Sequence, residues 1–121
     1  IHMEQSARAR LNLFRKSWVA DYPDAENYLA LFYSKNFCPI GPNYTHFKNK
    51  EFDELYERAK SIIDDKDRFE LYHQMERIIL DEAPVIPLYY DQAVRFTANK
   101  ISNLEINSMN LLNLKKAKKS A

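Results

Sequence analysis

The chain has 121 residues, 45% of them hydrophobic and 29% charged, and its 18 basic against 17 acidic residues leave a formal net charge of +1. A chain of this length buries about two-thirds of its unfolded surface, and the composition lies outside the low-hydrophobicity regime of disorder, so a packed core is expected. Near-neutral charge supplies no global field for nucleic acid or an anionic membrane, and a single glycine, Gly41, excludes the phosphate-cradling loops that need several glycines.

Ile1-His2-Met3 reads as a cloning remnant, and the alternation in Ala9-Arg10-Leu11-Asn12-Leu13-Phe14 predicts a short strand over 9–14. Asp21-Tyr22-Pro23-Asp24 is a turn, because Pro23 pushes Tyr22 out of the helical region, and Asp24 is placed to cap a helix over 25–34. Residues 36–49, with Pro39, Gly41, Pro42 and several Asn, read as an irregular connection pinned by Phe37, Tyr44 and Phe47. Phe52, Leu55, Tyr56, Ala59, Ile62 and Ile63 then fall on one face of a helix over 49–64 capped by Asn49. A second amphipathic helix over 66–83 carries Leu71, Tyr72, Met75, Ile78 and Ile79, with Asp64 or Asp65 as its cap. So short a link makes the two helices neighbours that cover each other's apolar faces.

Pro84 and Pro87 stop helical structure, and the runs 85–90 and 93–98 predict strands around an Asp91-Gln92 turn. Ile101, Leu104, Ile106, Met109, Leu111 and Leu112 are apolar enough to need a partner, and the basic run at 114–121 reads as a disordered, solvated tail with no role in nucleic-acid binding. The lone cysteine, Cys38, forms no internal disulfide, and His46, eight residues on, does not make it a nucleophile without an orienting third group. His2, His46 and His73 have no metal-ligand spacing, so neither a metal nor a cofactor is expected. No apolar run approaches the roughly 20 residues of a membrane span.

The order of motifs is more specific than any one of them. Trp18-Val19-Ala20-Asp21-Tyr22-Pro23-Asp24 is followed by Asn49-Lys50-Glu51-Phe52-Asp53, then by Asp65, Arg68 and Leu71-Tyr72, then by Glu82-Ala83-Pro84-Val85-Ile86-Pro87-Leu88-Tyr89. Over residues 10–108 this series resembles the C-terminal part of the family 5 extracytoplasmic solute-binding proteins, the dipeptide, oligopeptide and nickel type that serve ABC importers. The resemblance implies an α+β piece of a two-lobe, type II periplasmic-binding-protein fold, located in the periplasm or on the outer face of the cytoplasmic membrane. It also implies a peptide ligand, permease subunits as partners, and a first lobe of the same protein that this chain lacks. By the same resemblance Asp21 pairs with the α-ammonium of a bound peptide and Trp18 lines a side-chain pocket. From local sequence alone, Asp21 reads first as a turn former and Trp18 as core, and Asp24, Glu26 and Asp53 read as caps or solvated acids.

The chain thus reads as a binding module and not an enzyme: Asp81 and Glu82 are adjacent on a helix and cannot converge on one atom, and Asp24 is spoken for as a cap. The competing reading is a folded scaffold without ligand affinity of its own, self-associating through unpaired strand edges, or a relative whose cargo is not a peptide.

Overall fold

A computed structural model describes residues 2–92, 94–107 and 111–120 of the chain. In chain order the elements are helix α1 (His2–Ala7), helix α2 (Glu26–Leu29), a 3-10 turn (Ser34–Asn36), helix α3 (Lys50–Ala59), helix α4 (Asp65–Glu82), and two short strands, β1 (Ile101–Ser102) and β2 (Lys118–Lys119).

The core is the seam between α3 and α4. Asn49 caps α3 by accepting the Phe52 N–H at 2.9 Å, and Asp64 caps α4 by accepting from the N–H groups of Lys66 and Asp67 at 3.0 and 3.1 Å. These side chains satisfy donors that a helix start leaves without intrahelical partners. Asn49 also donates to Glu82 at the far end of α4, so the two helices run in opposite directions. Between them lie Phe52, Leu55, Tyr56 and Ala59 from one side and Leu71, Tyr72, Met75 and Ile79 from the other, with Phe52 and Met75 at 0% exposure. Leu29, Phe32, Tyr33 and Phe47 extend the same cluster, and the rings of Phe32, Phe47 and Phe52 meet edge to face at 5.8–6.4 Å.

Two helices and three strands differ from the sequence expectation. The helix expected over 25–34 closes after Leu29: Asn36 donates to the Ala30 carbonyl at 3.0 Å, and Asp53 takes the Ser34 N–H at 3.0 Å, so side chains compete for the backbone groups that would continue it. The helix expected over 49–64 stops at Ala59, which leaves Ile62 partly packed against the core and Ile63 at 96% exposure instead of on the apolar face. None of the three expected strands forms among the described residues: 9–14 is turn and bend, and 85–90 and 94–98 carry no ladder, with Ala93 outside the described residues. A strand requires a neighbour to take its backbone hydrogen bonds, and among the described residues no ladder partner does so for these runs. The pairing that does form is antiparallel, Ile101 against Lys119 and Ser102 against Lys118, within the run read as a disordered tail.

The connection at 36–49 is held by Asn43, which is fully buried. Its amide donates to the carbonyls of Tyr33 at 3.1 Å and Phe47 at 3.0 Å while its oxygen accepts from Thr45 at 3.0 Å. The backbone of Asn36 passes so near Gly41 that a Cβ there would sit 2.4 Å from the Asn36 oxygen, which accounts for the chain's one glycine.

Candidate functional site

The turn at 21–24 is tied to the body of the molecule through Asp24. One carboxylate oxygen accepts the Glu26 N–H at 2.9 Å and the Tyr72 hydroxyl at 3.2 Å, and the other pairs with Arg68 at 3.1 Å. Arg68 also pairs with Asp65 at 2.7 Å. Asp24 therefore does more than the capping expected of it, because it fastens the turn to α4. Burial and the neighbouring Asp24 carboxylate push the Tyr72 phenol up to about 12.

The turn forms one wall of an open cleft of about 620 Å³. Trp18, Asp21 and Asn27 stand on that wall, residues 38–42 and Tyr44 face it, and Tyr56 and Lys60 of the α3 end line its floor. Trp18 and Asp21, the two residues singled out by sequence, are thus brought together, and the link between them is Asn27. Its side-chain oxygen accepts the Trp18 indole N–H at 2.7 Å and the Asp21 backbone N–H at 3.2 Å, and its amide lies 3.5 Å from the Asp21 carboxylate. Asn27 is buried, Trp18 is half-buried and Asp21 is exposed. Among the described residues no cation pairs with Asp21, so its charge is left uncompensated on the cleft wall.

Glu26, read from sequence as a solvated acid, is half-buried and accepts hydrogen bonds from the hydroxyls of Tyr22 and Tyr56. Burial, then the Glu26 carboxylate, hold the Tyr56 phenol far above its ordinary range, so it stays a donor at any physiological pH. The Lys60 ammonium lies 4.6 Å from the Tyr56 ring centre and 5.0 Å from that of Tyr33, a cation held on aromatic faces in the cleft lining. Asp53 is likewise engaged, since it receives both the N–H and the hydroxyl of Ser34.

Cys38 is buried, while His46 stacks on Phe37 at 4.9 Å and lies 3.2 Å from the Ala7 carbonyl, so the pair does not assemble a nucleophile and base. Among the described residues no three His, Cys, Asp or Glu side chains gather as metal ligands. No helix among them is long and apolar enough to cross a membrane. Sequence reasoning missed Asn27 and Tyr56. The available signal for Asn27 was a weak helix former next to Tyr28-Leu29 in an otherwise good helix, a position that needs a reason.

No family model matches the chain. Individual proteins do. A dipeptide-binding protein of Bacillus subtilis is 30% identical over 120 residues, 99% of this chain and 21% of that protein. An oligopeptide-binding protein of the same organism is 38% identical over 76 residues, 63% of the chain and 13% of that protein. A periplasmic protein of Escherichia coli named for deoxycholate binding is 39% identical over 83 residues, 69% of the chain and 15% of that protein. The chain spans about a fifth, at most, of the length of these relatives. By these matches the chain belongs to the family 5 solute-binding proteins.

Proposed function

We propose that the chain is the C-terminal part of the extracytoplasmic binding component of an ABC importer, and that its cleft takes the free amino end of a peptide. The observation that carries this reading is Asp21, a carboxylate without a cationic partner among the described residues on the wall of a cleft shared with Trp18. A peptide's terminal ammonium is a compact cation with three donors, and a carboxylate answers it with charge-assisted hydrogen bonds. Trp18 offers the adjoining side chain a broad apolar wall that accepts many shapes. No step of bond making is assigned to the site: it binds, and the parent protein delivers its ligand to the permease outside the cytoplasmic membrane. The cleft is open on one side, and the missing first lobe of the parent would close it.

Calorimetry with di- to pentapeptides and their N-acetylated forms tests this. In the chain alone, where Asp21 is exposed, its pair with an ammonium is worth up to about 1 kcal/mol, so acetylation or Asp21→Asn weakens binding by up to about fivefold. In the intact parent, where closure removes water, the loss rises to about tenfold or more. Acetylation and Asp21→Asn together cost no more than either alone, because each removes the same interaction. Equal binding of free and acetylated peptides sinks the assignment. A second reading, a cargo other than a peptide, is favoured by the relative named for deoxycholate. Under it the bile acid, and not the peptides, raises the melting temperature.

A further inference from the structure

We infer that Asn27 is the positioning residue of this site, holding the Asp21 carboxylate and the Trp18 indole in one arrangement so that the free amino end of a ligand and its first side chain are read together. The inference rests on the reading of Asp21 as the ammonium partner and adds the residue through which that carboxylate is placed. Asn27 is buried at 4% exposure, at the start of α2, and its one amide reaches both site residues. The side-chain oxygen accepts from the Trp18 indole at 2.7 Å and from the Asp21 N–H at 3.2 Å. The side-chain nitrogen donates toward the Asp21 carboxylate at 3.5 Å. A side-chain amide carries two acceptor sites and two donors, so one residue can satisfy an indole, a backbone N–H and a carboxylate at once; an apolar side chain cannot. Asp21 itself is exposed and lies on a turn, so without this tether its carboxylate has several rotamers to lose when it meets a cation.

The test compares the unmodified 121-residue chain with Asn27→Leu, which keeps the branched skeleton of the side chain without its polar atoms, using trialanine and N-acetyl-trialanine. The unmodified chain prefers trialanine by up to about fivefold, as exposed ion pairs allow. In Asn27→Leu the ratio of the two affinities falls to about one. A role in folding alone would lower stability and leave the ratio unchanged, and that result overturns the inference while leaving Asp21's role intact. Equal binding by the unmodified chain overturns both. Should Asn27→Leu fail to fold, the unmodified chain still decides: Trp18 is its only tryptophan, so its indole N–H gives a single assignable resonance. That proton exchanges with solvent at least about tenfold more slowly than in a short peptide, with or without trialanine, if Asn27 holds it. Exchange at the peptide rate overturns the inference.

Discussion

At the residue scale, two buried asparagines tie separate segments of the chain together. Asn43 satisfies the carbonyls of Tyr33 and Phe47 inside a loop that has no ladder, and Asn27 does the equivalent work on the cleft wall. Asn43→Leu leaves the Phe47 carbonyl without a donor in a buried site, while the Tyr33 carbonyl keeps the Asn36 N–H at 3.0 Å. At about 1–3 kcal/mol for an unsatisfied group, the variant loses about that much in urea unfolding, with no change in the slope of the transition. Of the site, Trp18 and Asp21 were legible in the sequence because the turn chemistry around Pro23 and the motif order marked them. Asn27 was not, because nothing in a linear pattern distinguishes an amide that faces inward from one that faces water. Glu26 was misread for the same reason: its burial depends on Tyr56, 30 residues away.

At the element scale, α4 was legible almost to the residue and α3 at its start but not at its end, since apolar spacing and caps agree with each other and with the fold there. The strands were not, because β-rich composition in 85–98 states a capacity for pairing and leaves the partner unnamed. Two substitutions at helix ends check the energetics. Asn49→Ala removes the cap of α3 and its tie to Glu82, and costs about 1 kcal/mol by thermal unfolding. Ala83 closes α4 in the left-handed region at φ 47°, where a Cβ is unfavourable. Ala83→Gly therefore stabilises the chain by about 0.5–1 kcal/mol, a gain visible as a higher melting temperature.

At the scale of the whole molecule, the packed body gives way after α4 to a stretch whose apolar side chains face solvent: Tyr90 and Phe96 are 98% and 95% exposed, and Ile86, Leu88 and Ile106 are also uncovered. Exposed β-prone apolar runs associate. The chain is expected to self-associate with rising concentration in sedimentation experiments, and truncation after Glu82 to abolish this while leaving the helix melting transition in place. The pH response of the body is set by its phenols. Tyr33, Tyr56 and Tyr72 are all raised from an ordinary value of 10.0, burial being the first cause in each. The unfolded chain loses these protons near pH 10 while the folded chain keeps them, so their contribution is whole below pH 10 and is lost as the pH climbs through the folded values. Circular dichroism should show unfolding setting in above pH 10, coincident with tyrosinate absorbance.

The bond from Asp24 to Arg68 and Tyr72 fastens the ligand-facing turn to the longest helix of the chain. Occupancy of the cleft and opening of α4 are consequently linked equilibria, and each must shift the other by the same free energy. A ligand that steadies the turn will retard amide exchange along the first turns of α4, and Arg68→Ala will uncouple the two while leaving Asp21 in place.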